Sequence, residues 1–244
     1  FQLFVLYGRR RVGKTTLLTE FCRNKPSIFF SAENSTNQMN LVKFSQQVLG
    51  YFNESVLEPF SSWENALLYI ESKSANRSLV VVLDEFPYLA EGDRGLLSVL
   101  QHLIDHRLKA SRLFLILCGS YMGFMEREVL GSKSPIFGRR TAQLHLKALD
   151  YYAGRGMLDF APPEEQLMYY GIFGGTPMYL GRISPEEGLA GNLQYTYFST
   201  SGYLSEAPGL LLQQDLREPG VYRAITAAAA GRPERLSVVD QPAG

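Results

Sequence analysis

The strongest constraint on the fold is an eight-residue motif near the start of the chain. Residues Gly8–Thr15 have the sequence GRRRVGKT, which matches the pattern G-x-x-x-x-G-K-[ST] in full. An apolar run at Gln2–Tyr7 predicts a buried strand before the motif, and periodic apolar residues predict a helix over Lys14–Arg23. Because this motif occurs as a loop between a strand and a helix, the sequence predicts a phosphate-binding loop at the edge of a parallel sheet.

Each position of this phosphate loop suggests a role. Glycines let the backbone curl so that successive N–H groups face one concavity, and the N-terminus of the following helix adds partial positive charge. Lys14 is expected to reach the β- and γ-phosphates, Thr15 to bind Mg²⁺, and Thr16 to support the α-phosphate side. The expected nucleotide-binding residues are therefore Gly8, Arg9, Arg10, Arg11, Val12, Gly13, Lys14, Thr15 and Thr16.

Positive charge is concentrated around this loop although the chain as a whole is neutral. The 244 residues contain 24 Lys and Arg against 24 Asp and Glu. Within the first 25 residues, basic side chains outnumber a single acidic one, Glu20. The three consecutive arginines, Arg9–Arg11, are either solvated side chains at variable loop positions or contacts to phosphate or to a partner. The charge lies where a triphosphate would bind.

The first half of the chain alternates apolar strand-like runs with amphipathic helix-like runs. Continuous apolar strands separated by helices indicate a parallel sheet that is covered on both faces. The pattern predicts an α/β fold, the three-layer sandwich of P-loop NTPases. The predicted strands are Gln2–Tyr7, Ser27–Ser31, Ser78–Leu83, Arg112–Leu117 and Thr141–Leu146, and the further predicted helices are Asn40–Leu49, Trp63–Lys73 and Leu96–Leu108.

The pattern changes after residue 147. Strand-like runs nearly stop, and short helical stretches are interrupted by proline and glycine. We therefore expect a P-loop core over residues 1–147 and a small helical lid over residues 148–207. Residues 208–244 are expected to begin a third domain.

A pair of carboxylates follows the third predicted strand. Asp84 and Glu85 come directly after the apolar run Ser78–Leu83. Ligands of parallel α/β sheets bind outside the carboxyl ends of the strands, so this pair is expected to face the phosphate loop. Asp84 is the expected second ligand of Mg²⁺, and Glu85 is the expected general base that activates the attacking water. Taken alone, the same residues would be a strand end and a solvated acidic turn.

Two further polar positions follow later strands. Ser120 lies at the end of the strand predicted over Arg112–Leu117, where it would either contact the γ-phosphate or position water, or cap the helix predicted near Tyr121. Arg140 precedes the last strand. It would either reach the γ-phosphate of this chain or of a neighbour and stabilise charge there, or be a surface arginine. Ser120 and Arg140 complete the expected catalytic set with Lys14 and Glu85.

Four sequence boxes together resemble the archaeal-type P-loop ATPases of the AAA/STAND-like group, which carry a DEXX box and a C-terminal winged-helix region. They are GRRRVGKTTLL at Gly8–Leu18, LDEFPYL at Leu83–Leu89, the segment Leu117–Arg140 and GGTPMYL at Gly174–Leu180. The resemblance implies that Gly175, Thr176 and Pro177 place a proline near the adenine, although Pro177 also fits the first turn of a helix. It further implies that residues 218–225 begin a winged helix and that the sequence is cut at both ends.

The composition limits the partners and the compartment. Hydrophobic residues make up 45% of the chain, which is typical of a globular protein, and no run is apolar for long enough to span a bilayer. We expect a cytoplasmic protein that binds ATP or ADP and no membrane. A protein partner or self-association stays open. The zero net charge and short tail argue against DNA binding by these residues and leave it open for a longer chain.

The leading hypothesis for function is Mg²⁺-dependent ATP hydrolysis, with ATP and Mg²⁺ as the bound groups, Glu85 activating water and the helical lid responding to the nucleotide state. The main alternative is a slow nucleotide-dependent switch or DNA-associated regulator, in which hydrolysis only resets the state and the helical lid responds to the nucleotide. A small-molecule phosphotransferase would need a second substrate pocket, and the sequence indicates no residues for one.

Overall fold

Five parallel strands form the central sheet of the computed structural model, which describes residues 1–54, 58–74, 77–205, 220–222, 224, 225 and 228. The strands lie in the order β2-β3-β4-β1-β5, and every neighbouring pair is parallel. Their bounds are β1 Gln2–Tyr7, β2 Ser27–Ser31, β3 Leu79–Asp84, β4 Leu113–Gly119 and β5 Ala142–His145.

Helices connect the strands and form the rest of the described chain. Short 3₁₀ turns lie at Leu108–Ala110 and Arg155–Met157, and π-helical turns follow α6 and α10 at Met125–Val129 and Gln194–Phe198. The α-helices are α1 Lys14–Cys22, α2 Asn37–Tyr51, α3 Trp63–Lys73, α4 Phe86–Gly92, α5 Leu96–His106, α6 Met122–Phe124, α7 Tyr151–Gly154, α8 Pro163–Phe173, α9 Pro177–Leu180 and α10 Gly188–Leu193.

The sheet is covered on both faces, but unequally. All six residues of β3 are buried, as expected for a central strand of a covered parallel sheet. One face packs against α2, α3 and α5, whose apolar residues join the largest core cluster. On the other face, α1 packs against the sheet through Leu18 and Cys22, and no other helix of the described residues joins this cluster. The edge strand β5 is exposed along its whole length.

Polar side chains fix where several helices begin. The Thr36 hydroxyl accepts a hydrogen bond from the Met39 backbone N–H at 3.2 Å, and the Ser62 hydroxyl accepts one from the Asn65 N–H at 3.1 Å. These side chains satisfy backbone donors that have no partner in the first turn of a helix. α2 and α3 are then joined by a 2.7 Å hydrogen bond that the Trp63 indole donates to the Asn37 side chain.

Residues 148–205 contain helices and turns and have a hydrophobic cluster of their own, which includes Leu158, Tyr169 and Phe173. A close backbone approach lies near their start, where the chain leaves β5. The Leu149 N–H donates to the Gly175 carbonyl at 2.8 Å, and a Cβ added at Gly175 would lie 1.7 Å from the Leu149 carbonyl oxygen. Only glycine fits at this position, so the Gly174–Leu180 box packs against the backbone at Leu149, shortly after β5.

The structure agrees with the expected order of elements and differs in detail. All five expected strands are present, and their ends lie within two residues of the expected positions. Helix α4 begins directly after Glu85, where the sequence pattern predicts no helix. The expected winged-helix start over residues 208–244 lies almost entirely outside the described residues. In the described part of the chain, no helix has both the length and the apolar character required to cross a membrane.

Candidate functional site

A cavity of about 660 Å³ opens at the carboxyl edge of the sheet, beside the phosphate loop. Its size falls in the usual range for small-molecule sites. Most of its lining residues come from the phosphate loop, from the segment after β3 and from the start of α9. They are Arg10, Arg11, Gly13, Lys14, Thr15, Thr16, Glu85, Tyr88, Ser120, Pro177 and Met178.

Lys14 organises the phosphate loop. Its side chain is buried, with 6% of the residue exposed, and Nζ donates hydrogen bonds to the carbonyls of Gly8 at 2.8 Å and Arg9 at 2.9 Å. Gly13, immediately before α1, has a φ of 95°, a conformation that L side chains rarely adopt. The loop is therefore curled around the lysine, with the N-terminus of α1 at the cavity.

Burial lowers the pKa of the Lys14 ammonium group, since the charged form loses hydration. The nearby carboxylates of Glu85 and Asp84 oppose this shift. A phosphate group in the cavity would also raise the pKa of Lys14, as these carboxylates do, because its negative charge favours the charged ammonium form. The ammonium group is thus in a position where an anionic ligand would stabilise it.

Asp84 is buried, with 2% exposed, and both of its carboxylate oxygens accept hydrogen bonds. Oδ2 accepts one from the Thr15 hydroxyl at 2.8 Å, and Oδ1 accepts one from the Glu85 backbone N–H at 3.0 Å. A hydroxyl and a carboxylate are hard oxygen donors of the kind that Mg²⁺ prefers. The structure therefore brings the two expected metal ligands, Thr15 and Asp84, into direct contact.

Glu85 has an unusual backbone conformation and a specific side-chain partner. Its φ of 50° and ψ of 42° are left-handed, which is uncommon for a residue other than glycine. The Ser120 hydroxyl donates a hydrogen bond to Glu85 Oε1. No side chain caps the helix that begins at Met122, so Ser120 contacts the carboxylate instead of capping. Of the three non-glycine residues with left-handed φ among those described, Glu85 and Arg11 both line the cavity.

The loop arginines point to different partners. The Arg10 guanidinium donates to the Tyr88 hydroxyl at 3.1 Å, and the Arg11 guanidinium donates to the Tyr179 hydroxyl at 3.1 Å. Arg11 also lies 5.2 Å from the centre of the Tyr203 ring. Arg9 does not line this cavity and borders a neighbouring one of about 580 Å³.

The remaining expected residues lie in three different places. Pro177, at the start of α9, lines the cavity with Met178. Val12 is buried beneath the loop. Arg140 does not line the cavity: its guanidinium donates to the Leu130 carbonyl at 3.2 Å and lies 5.5 Å from the centre of the Phe137 ring.

Among the cavity residues, sequence reasoning missed two: Met178, which follows Pro177 at the start of α9, and Tyr88. Tyr88 lies one helical turn after Glu85, and its backbone N–H donates to the Glu85 carbonyl at 3.0 Å. The signal was Pro87, because proline is common in the first turn of a helix and indicates that a helix begins directly after the acidic pair. A helix predicted at this position would have placed Tyr88 near the phosphate loop in the sequence analysis.

The sheet order, the phosphate loop and the acidic strand end define an α/β protein with the fold of the P-loop NTPases, as expected from the sequence. Residues 1–183 match the family described as an ATPase domain predominantly from Archaea. The chain belongs to this family.

The chain is also similar in sequence to two uncharacterised proteins. The chain is 29% identical over 231 residues to an uncharacterised protein of Methanocaldococcus jannaschii, an alignment that covers 94% of this chain and 50% of that protein. A second uncharacterised protein of the same organism is 40% identical over 52 residues, which are 21% of this chain and 50% of that protein. The chain thus spans about half the length of the first of these relatives.

Solved structures show the same fold at low sequence identity. The Walker-type ATPase PABY2304 of Pyrococcus abyssi aligns with a TM-score of 0.56 and 20% identity, over 95% of this chain and 71% of that one. The Orc1 protein of Aeropyrum pernix, solved in complex with DNA, aligns with a TM-score of 0.55 and 13% identity, over 99% of this chain and 68% of that one.

Proposed function

We propose that this chain binds ATP with Mg²⁺ and hydrolyses it to ADP and phosphate. The observation that carries the proposal is the 2.8 Å contact between Thr15 and Asp84, beside a glutamate held by Ser120. A lysine, a hydroxyl and two carboxylates thus converge at one end of a cavity large enough for a nucleotide. Membership of a family of ATPase domains supports the general activity, ATP hydrolysis, but does not assign roles to single residues.

Phosphate binding is assigned to the loop from Gly8 to Thr16. Lys14 would bind the β- and γ-phosphates, and backbone N–H groups at the start of α1 would donate to the phosphate oxygens. Lys14 now donates to two carbonyls of its own loop, so it exchanges at least one of these bonds on binding. Val12 contributes through its backbone, since its side chain is buried.

The metal is assigned to Thr15 and Asp84. Their oxygens are adjacent, and they fit the preference of Mg²⁺ for hard oxygen ligands. When bound, Mg²⁺ supplies positive charge that neutralises phosphate oxygens. Asp84 keeps its second oxygen on the Glu85 N–H, which fixes the position of the following residue.

Water activation is assigned to Glu85. The carboxylate would accept a proton from the attacking water, and Ser120 would hold it in the required orientation. The left-handed backbone of Glu85 costs on the order of 1–3 kcal/mol, and such strain is concentrated at functional sites. Arg140 is not assigned to the phosphates of its own chain, since it does not line the cavity.

We assign the chain to the AAA/STAND-like group. Residues 1–147 form the core in this proposal, and residues 148–207 form the lid. Arg11 supports a link between nucleotide and lid. It belongs to the phosphate loop, yet it donates to Tyr179 and lies near the ring of Tyr203, both of which are lid residues. Pro177 would face the adenine side of the cavity.

The test is an ATPase assay on residues 1–244 with and without Mg²⁺, together with nucleotide binding to Lys14→Ala. We expect turnover that stops when EDTA is added and an Ala variant that no longer binds ATP. ATP binding to the Ala variant at wild-type affinity would place the site elsewhere. Phosphate release from wild type that is indifferent to EDTA would contradict the metal assignment.

The Arg11 contacts also favour the alternative of a slow switch, in which the nucleotide state moves the lid and hydrolysis resets it. Hydrogen exchange of residues 148–205 in ATP and ADP, compared with the turnover number, separates the two functions. A large exchange difference with turnover below about one per minute indicates a switch, because typical enzymes turn over faster than once per second. The same assay with duplex DNA present tests a DNA-associated role.

A further inference from the structure

The cavity has an excess of positive charge that the described residues do not pair. Arg10, Arg11 and Lys14 line it, and none of the three forms an ion pair with a carboxylate in the described part of the chain. A guanidinium has five N–H donors, and the structure assigns one hydrogen bond to each arginine. Most of their donor capacity is therefore available to an anionic ligand.

The two arginines are held at different sides of the cavity. Arg11 is bonded to Tyr179 of α9, on the lid side. Arg10 is bonded to Tyr88 of α4, the helix that begins directly after Glu85. Arg10 is half-buried, so its position is restricted by packing as well as by the tyrosine hydroxyl. The tyrosine contact places Arg10 on the same side as the residue assigned to water activation.

We propose that Arg10 is the arginine that neutralises the terminal phosphate during hydrolysis, and that Tyr88 is the positioning residue that holds it there. The inference rests on the proposed ATPase function and deepens it. It replaces Arg140 in this role and makes the site complete within one chain, since Arg10 belongs to the same phosphate loop as Lys14.

The chemistry requires positive charge at this point. Water forms a new bond to the terminal phosphorus, the bond to the bridging oxygen breaks, and the electron pair stays on ADP. One proton of the water passes to Glu85. Negative charge accumulates on the terminal phosphate oxygens and the bridging oxygen, and an arginine that donates to them is worth about 10³–10⁵-fold in rate in related phosphoryl transfers.

Other nearby arginines are already engaged elsewhere. Arg140 donates to the Leu130 carbonyl, and Arg139 forms two-pronged hydrogen bonds with Asp105. Neither lines the cavity. Within the described residues, Arg10 is the arginine that combines access to the cavity with a contact to the helix that follows Glu85.

The first experiment compares nucleotide affinities of Arg10→Ala with wild type. We expect Arg10→Ala to bind a non-hydrolysable ATP analogue about 10-fold more weakly and ADP within about twofold, because only the triphosphate carries the terminal group. The rate of hydrolysis should fall by at least about 100-fold. The matched control is Arg94→Ala, an exposed arginine outside the cavity lining, which should match wild type.

Equal losses for the ATP analogue and ADP would overturn the inference while leaving the proposed function standing. Wild-type protein that binds neither nucleotide would overturn both. A thermal melt of each variant reports folding separately, and the ADP affinity of Arg10→Ala confirms an intact site even if hydrolysis is undetectable.

The second experiment tests Tyr88 and the single-chain claim. Tyr88→Phe removes the hydroxyl and keeps the ring, so we expect kcat to fall about 5- to 10-fold at unchanged KM and unchanged melting temperature. The rate per molecule should stay constant over about a hundred-fold range of protein concentration, because no neighbour is required. A rate per molecule that rises with protein concentration, or a Tyr88→Phe variant with wild-type kcat, would overturn the inference.

Discussion

Thr15 donates a hydrogen bond to Asp84 over 2.8 Å, which joins the first turn of α1 to the end of β3. The two residues are 69 positions apart in the sequence, and the parallel sheet brings them together because β1 and β3 end at the same edge. Neither side chain alone indicates a metal. Their contact turns two separate motifs into one proposed magnesium site.

The Thr15 hydroxyl is expected to be required for metal-dependent binding. Thr15→Val keeps the shape of the side chain and removes the oxygen, so we expect ATP affinity in Mg²⁺ to fall by about 10-fold or more, roughly 1.4 kcal/mol. Isothermal titration with and without Mg²⁺ measures this. Thr15→Ser keeps the hydroxyl and should retain most of the affinity. Equal affinities for the Val and Ser variants would remove Thr15 from the metal site.

Glu85 is expected to act in turnover and not in binding. Glu85→Gln has the same size but a weaker base, so kcat should fall by about 10²–10⁴-fold while ATP stays bound. Single-turnover kinetics and nucleotide retention on a desalting column measure both effects. Ser120→Ala should give a smaller loss of kcat, since it removes the orienting hydrogen bond and leaves the base. A Gln variant that hydrolyses ATP at the wild-type rate would exclude Glu85 as the base.

Gly175 is expected to tolerate no side chain. A Cβ at this position would lie 1.7 Å from the Leu149 carbonyl oxygen, so Gly175→Ala must displace the backbone around Leu149, shortly after β5. We expect a loss of about 1–3 kcal/mol in stability, measured by denaturant unfolding. Gly171→Ala is the matched control, because it lies in α8 with open space around it and should stabilise the helix by about 0.5–1 kcal/mol. Similar effects from both variants would contradict the close approach.

The ion pair between Asp105 and Arg139 should give a pH-dependent stability. Hydrogen bonds from the Arg139 guanidinium hold the pKa of Asp105 below its usual range. A lowered carboxylate pKa contributes stability that is present above the unfolded value, near pH 4, and is lost as pH falls through the folded value. We therefore expect Asp105→Asn to lower the melting temperature at neutral pH.

The difference between Asp105→Asn and wild type should shrink as the pH falls from about 4 through the lowered folded pKa of Asp105, because the unfolded state then binds a proton that the folded carboxylate does not yet carry. Thermal melts from pH 7 to pH 3 measure it. Asp159→Asn serves as the control, since Asp159 is exposed and forms no ion pair with the residues that the structure describes. A gap that stays constant across this range would show that packing, and not charge, carries the effect.

The sheet was predictable from sequence because its strands are continuous apolar runs bounded by polar residues. β3 is the clearest case, since LVVVL is followed at once by two carboxylates. The phosphate loop was predictable because its function depends on local backbone shape. These features are encoded within a few residues, and their local signals agree with the final fold.

The pairings inside the site were not predictable in the same way. The contact between Arg10 and Tyr88 joins residues 78 apart, and no local pattern selects a tyrosine hydroxyl as the partner of one loop arginine among three. The positions of Arg139 and Arg140 depend on how the segment after α6 packs against α5. Such choices are made by tertiary packing, which a single sequence does not display.

The position of β1 between β4 and β5 has a consequence for synthesis on the ribosome. β1 is made before the other four strands, yet Gln2 pairs with Phe114, roughly 110 residues later. The ribosome adds about 5–20 residues per second, so β1 has neither of its neighbouring strands for roughly 5–20 s. Apolar surface that stays exposed in this way is prone to aggregation. The nucleotide pocket is consequently one of the last features of the core to form.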